Sequence, residues 1–185
     1  MQTKYYENRT DSESSRDGIN LNQKENKMDV FPQIKEFLDQ HTVEYKVIEH
    51  PPTKTSEESA LHRGEPLKIG AKALVVKIDT AFHLFIIPAN RKLDTKKIKM
   101  LFNSKSLRFA TPEELMQLTG LVPGSVPPFG NLLKIPMMVD KALLEEEYMA
   151  FNAGLLTTSI KMKVQDYVRI LQPRMEEISL LEVKG

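Results

Sequence analysis

Lys72 is the residue best placed to do chemistry. It stands immediately before the most apolar stretch of the chain, Ala73-Leu74-Val75-Val76-Lys77-Ile78. A lysine there is either a strand-edge device against aggregation or a cation aimed into a pocket, and position alone leaves both open. A second feature is the segment Thr119-Gly120-Leu121-Val122-Pro123-Gly124-Ser125-Val126-Pro127-Pro128-Phe129-Gly130. Its glycines and prolines impose special backbone angles and stiffness. Such a loop can present successive backbone N–H groups to an anion or a carbonyl oxygen, or it can be a rigid connector. A third feature is the crowd of cations Arg91, Lys92, Lys96, Lys97, Lys99, Lys105 and Arg108, among which Asp94 is the sole acid. That patch suits a phosphate backbone; a solvated helix face has the same composition.

Other catalytic routes are missing. No Gly-rich phosphate loop and no Gly-x-Ser-x-Gly elbow occurs. Cys is 0, which removes disulfides, thiolate metal sites and cysteine nucleophiles together. The 4 histidines, His41, His50, His62 and His83, show no metal-ligand spacing and read as capping or solvated residues. His83, between Phe82 and Leu84, is expected to face solvent. No metal or cofactor is expected. Catalysis without a thiolate or an evident Ser–His pair must come from positioning and electrostatics.

These residues need a scaffold. Asp29 can cap a helix with Ile34, Phe37 and Leu38 on one face. Tyr45 to Ile48 reads as a strand stopped by Pro51-Pro52, and Thr55-Ser56-Glu57-Glu58 is a capping box opening a short helix that ends at Gly64. Ala73–Ile78 and Phe82–Ile87 form two strands, joined so tightly at Asp79-Thr80 that an antiparallel hairpin follows. Asp94 caps a basic helix through Phe102. Leu107 to Phe109 is a strand, and Thr111-Pro112-Glu113-Glu114 opens a helix ending at Gly120. Further strands are expected at Leu132–Ile135, Met137–Val139, Tyr148–Asn152 and Thr158–Met162, with helices at Lys141–Glu147 and Val164–Leu171. The class is α/β of the α+β type: one domain with a mixed, largely antiparallel, partly barrel-like sheet surrounded by short helices.

The 185 residues suit one domain. Residues 1–28 are polar and without period, and read as a disordered tail. The domain spans 29–172, and 173–185 read as a C-terminal tail. Lys plus Arg is 26 and Asp plus Glu is 25, so no global field exists to hold DNA or an anionic membrane. No apolar run approaches the ~20 residues of a membrane span, and the first residues lack a signal-peptide core. The expected location is the cytoplasm.

Taken in order, the motifs resemble the YbaK family, free-standing relatives of the editing domain inserted in bacterial prolyl-tRNA synthetases. Lys72 falls where the family has its characteristic lysine. Gly124-Ser125-Val126-Pro127-Pro128, preceded by Thr119-Gly120, fits the family's Gly-x-x-x-Pro loop. Ile135-Pro136-Met137-Met138-Val139-Asp140 fits an apolar strand ending in Asp, Phe151-Asn152-Ala153-Gly154 fits the small-residue segment near the pocket, and Ser159-Ile160 follows.

The resemblance implies hydrolysis, in trans and without a metal, of an amino acid wrongly esterified to tRNA, with mischarged tRNA-Pro as the expected substrate. It places Lys72, Gly124 and Ser125 at the catalytic centre. Gly120, Pro128, Asp140, Asn152, Ala153 and Gly154 would lie around the substrate. Arg91, Lys92, Lys96, Lys97 and Lys99 would hold the acceptor arm. The implied partners are the aminoacyl-tRNA acceptor end and an aminoacyl-tRNA synthetase. A non-catalytic tRNA- or synthetase-binding module of the same fold is the alternative.

Overall fold

The computed structural model of the protein describes residues 4–7 and 29–182. The chain's first strand, β1 (Lys4–Glu7), lies inside the segment read as a tail. It pairs antiparallel with β2 (Tyr45–Glu49). Consecutive tyrosines favour extended chain, and β2 would otherwise present a bare edge. The rest of residues 1–28 lies outside the described residues.

Helix α1 (Val30–Gln40) buries Val30, Ile34 and Leu38 at the spacing that puts them on one face. Asp29 occupies its cap position without a side-chain capping bond. Helix α2 (Ser56–Arg63) has the full capping box: Thr55 accepts from the Glu58 N–H while the Glu58 carboxylate accepts from the Thr55 N–H. Strands β3 (Ala71–Ile78) and β4 (Ala81–Pro88) form the expected antiparallel hairpin, with Val76 opposite His83. Its turn bends at Asp79, whose carboxylate accepts the Lys105 and Ser106 N–H groups and so braces a turn lacking glycine. His83 is half-buried rather than solvent-facing, because Phe102 closes over it edge-on at 4.8 Å.

Next come β5 (Arg91–Leu93), α3 (Thr95–Leu101), β6 (Leu107–Phe109) and α4 (Pro112–Thr119). Asp94 caps α3 by accepting the Lys97 N–H at 3.0 Å. The strand expected at Leu132–Ile135 is instead a single helical turn, α5 (Gly130–Leu133). The Phe129 carbonyl accepts both the Leu132 and Leu133 N–H groups and curls the chain; so short an apolar run has no period to separate turn from strand. Strand β7 (Met137–Asp140) follows. A 3₁₀ turn at Lys141–Glu145 replaces the expected helix, and then come β8 (Tyr148–Leu155), β9 (Thr158–Lys163) and α6 (Val164–Leu171).

The expected C-terminal tail is part of the fold as far as residue 182. Strand β10 (Arg174–Glu176) runs parallel to β7, and β11 (Ser179–Leu181) pairs antiparallel with β5. Between them Ile178 is fully buried; its N–H donates to the Asp140 carboxylate at 2.8 Å and its carbonyl accepts the Asp94 N–H at 2.8 Å. The segment is too short to show periodicity, so only its tertiary partners reveal it.

The strands form three open sheets, ordered β1-β2-β9-β8, β10-β7-β4-β3-β6 and β11-β5; among the described residues no barrel closes. Pairings β4–β7 and β10–β7 are parallel and the rest antiparallel, which is the mixed, largely antiparallel class. Alternation along β3 and β4 divides the core. Val75, Leu84 and Ile86 face α1 and the four-stranded sheet, where Phe151 and Ile160 meet them. Val76, Ile78, Phe85 and Ile87 face the other way, toward Ile98 of α3 and Ile178.

Candidate active site

A cavity of about 170 Å³ opens between the beginning of β3, the middle of β8, the start of α2 and the Gly124 loop. It exists because β6 pairs with β3 only from Val76 to Ile78, leaving the Ala71–Leu74 edge uncovered by that strand. Gly70, Ala71, Ala73, Ala89 and Ala150 supply part of its lining. At Gly70 even a β-carbon would lie 2.8 Å from Ala89 Cβ, so the two strands approach there only because the side chain is absent.

Lys72, Gly124 and Asn152, remote in the chain, all line this cavity. Lys72 is half-buried and, among the described residues, has no ion-pair partner. Gly124 has φ +87, a conformation that favours glycine, and a β-carbon there would stand 3.3 Å from the Leu156 side chain. Its carbonyl accepts from Asn152 Nδ2 at 2.9 Å, which ties the loop to β8.

Behind Asn152 is a buried polar chain absent from the sequence-based site. The Ser159 hydroxyl lies 2.9 Å from Asn152 Oδ1 and 2.8 Å from His50 Nε2, and it accepts from Arg63 Nη1 at 3.2 Å. His50 Nδ1 donates to the Pro51 carbonyl at 2.8 Å, so its neutral ring offers Nε2 as an acceptor. The single Ser159 hydrogen therefore serves either His50 or Asn152. Burial, followed by the charges of Arg63 and His62, holds the His50 pKa below 6.5 despite the opposing Pro51 bond. Here the structure joins a Ser–His pair that the sequence did not suggest. Ser159 is fully buried, so its role is to hold Asn152 rather than to attack a substrate.

Arg63 also lines the cavity. It is only 4% exposed, and burial pushes its guanidinium down to about 10. Its position is legible in retrospect: Ser59, Ala60 and Arg63 form the buried face of α2, so the arginine occupies a core position of an amphipathic helix.

The other expected site residues lie elsewhere. Ser125, expected to be catalytic, is 1% exposed; its hydroxyl donates to the Val122 carbonyl and accepts the Val122 N–H, stapling the loop. With Gly120 and Gly154 it borders a separate depression. The Gly154 N–H donates to the Ser125 carbonyl, and Ala153 is wholly buried. The Pro128 carbonyl accepts the Tyr167 hydroxyl at 2.6 Å, and complete burial raises that phenol's pKa. Asp140 holds the N–H groups of Ala142 and Ile178. None of these residues lines the cavity of Lys72, Gly124 and Asn152.

The cation cluster is partly neutralised. Arg91 pairs with Glu145 at 3.3 Å and Lys97 with Glu177 at 3.6 Å, while Lys92 and Lys96 are exposed and Lys99 is half-buried. Helix α3 covers the sheet face carrying Leu74, Val76 and Ile78, and alternation puts Lys72 at the end of that row.

A lysine at a strand edge left uncovered by β6, a glycine-turned loop and an asparagine clamp thus surround one small cavity. The family model of the aminoacyl-tRNA editing domain matches residues 50–170, and the chain belongs to that family. The multifunctional Ser/Thr-tRNA deacylase ProXp-y of Escherichia coli is 34% identical over 144 residues, 75% of this chain and 86% of that protein. The proline–tRNA ligase of Staphylococcus haemolyticus is 34% identical over 92 residues, 49% of this chain and 16% of the ligase. A solved structure of a candidate trans-editing enzyme for prolyl tRNA synthetase superposes with a TM-score of 0.71 at 24% identity, over 82% of this chain and 98% of that one, and shows the same fold. No helix among the described residues is long and apolar enough to cross a membrane.

Proposed function

We propose that the protein is a trans-acting aminoacyl-tRNA deacylase that removes a small, wrongly attached amino acid from tRNA-Pro. The observation that carries this reading is the convergence of Lys72, Gly124 and Asn152 on one cavity. The family and the deacylase relative support the activity, and the ligase relatives support the tRNA. In this reading the acyl group enters the cavity and the terminal adenosine remains at the mouth, beside Lys72.

An aminoacyl ester is already activated. A water oxygen bonds to the acyl carbon and the carbonyl electron pair moves onto the acyl oxygen. Collapse breaks the bond to the ribose oxygen, which takes one proton of the water; the other passes to solvent, and the amino acid departs as its carboxylate. The chain contributes orientation: Lys72 holds the phosphate–ribose end, and the Gly124 loop, fixed by Asn152, holds the acyl end. Residues 29–182 form the catalytic unit, with the cytoplasm and its synthetases as its setting.

Single-turnover hydrolysis of a panel of mischarged tRNAs tests this. Wild type should clear a small acyl group from tRNA-Pro, and Lys72→Ala should be slower by about two orders of magnitude with an unchanged melting curve. Lys72→Arg should also fail, since a planar fork does not replace a compact ammonium. Tight tRNA binding without turnover would mark a binding module; wild-type rates in Lys72→Ala would overturn the site.

A further inference from the structure

Arg63 is a buried cation with no ion-pair contact among the described residues; the charge of Glu65 favours it only from beyond contact and does not offset its burial. Among the described residues no carboxylate lies within ion-pairing distance of it, and Glu65, the nearest acid in sequence, is bound by Lys161 at 2.5 Å. Its Nε is buried with no hydrogen-bond partner, and its one side-chain bond goes to the neutral Ser159 hydroxyl. Buried arginines are ordinarily paired. The cavity it lines also holds Lys54 and Lys72, and among the described residues no Asp or Glu lines it. Lys54 is exposed and Lys72 half-buried, so water solvates those charges more than it does Arg63.

The occupant must therefore bring negative charge to the inner part of the cavity. Resting on the deacylase reading, the acyl group is what enters. Its α-ammonium is positive, and its oxygen becomes negative only in two states: the tetrahedral species formed on attack, and the carboxylate of the released amino acid. We propose that Arg63 is a catalytic residue that binds this oxygen as it becomes an oxyanion, and that it retains the carboxylate of the free amino acid. The position fits, because Arg63 reaches Ser159, which contacts Asn152, which holds the Gly124 carbonyl. The charge thus sits at the acyl end of the site. The ester ground state is neutral at this oxygen, so the contact strengthens as the reaction proceeds.

The test combines binding with kinetics. Free L-serine should bind the wild-type protein by calorimetry and inhibit deacylation competitively; L-serinamide, which lacks the carboxylate, should do so at least tenfold more weakly. Arg63→Met should lose the L-serine preference and slow single-turnover hydrolysis by about 10²-fold or more, with KM changed less than threefold. If Arg63→Met fails to fold, Arg63→Lys, which keeps the charge and loses the fork, should weaken L-serine binding at least tenfold. Equal binding of serine and serinamide, retention of the preference in the folded variant, or binding of inorganic phosphate in place of serine would each overturn the proposal. Calorimetry needs no turnover, so a protein that binds carboxylate but deacylates no tRNA would overturn the deacylase reading alone.

Discussion

His50 shows how much one residue's role depends on its neighbours. In the sequence it is a histidine before two prolines. In the fold it is buried between Pro51, Ser159, Arg63 and His62. Its pKa lies below the 6.5 of an unperturbed histidine, so between the folded value and 6.5 the unfolded chain binds the extra proton. Stability then rises with pH through that window: it is fully present above about 6.5 and lost as pH falls through the folded value. Melting temperature should drop when wild type is taken from pH 7.5 to 5.5, and drop less in His50→Gln, whose amide does not titrate. The half-buried His83, lowered by desolvation alone, adds to the wild-type slope and remains in the variant. Identical pH slopes in the two proteins would remove His50 from this account.

Helix α3 carries part of the cation cluster proposed to meet the tRNA. It is pinned by Asp94 at its start and by buried Ile98 beneath, so its lysines point outward by default. Structure separates them into groups that the sequence treated alike. Lys97 is partly spent on Glu177, whereas Lys96 of α3 and Lys92 of β5 are exposed. Replacing Lys92 and Lys96 together with Ala should weaken tRNA binding and flatten its salt dependence, by about one unit of slope per lost phosphate contact. Deacylation at saturating tRNA should stay near wild type. Affinity measured from 50 to 300 mM salt decides it, and an unchanged slope would mean that this face meets only solvent.

At the scale of the whole molecule, the C-terminal strands close the second core. Ile178 completes the layer of Phe85, Ile87, Ile98 and Met138, and its backbone is bonded to both Asp94 and Asp140. Ile178→Ala should cost about 2–5 kcal/mol, which for a chain of this size is roughly 5–15 °C of melting temperature. Ending the chain at residue 172 should cost at least as much. A truncated protein melting with wild type would return these residues to the status of a tail.

Local chemistry determined much of this protein in advance. The capping boxes at Thr55 and Thr111, the β3–β4 hairpin and the apolar faces of α1 and α6 depend on neighbours within a few residues, and such signals survive in a bare sequence. Short motifs also single out Lys72, Gly124 and Asn152, and the fold brings these three to one cavity. Other features depended on contacts across the chain. Asp140 has the residue type of a site, yet its carboxylate is consumed in part by the Ile178 N–H, 38 residues away. Arg63 and His50 meet at Ser159 across 96 and 109 residues. Periodicity and propensity carry no information at that range. Burial of a charge, and the partner it lacks, become properties of the protein only when the layers close around it.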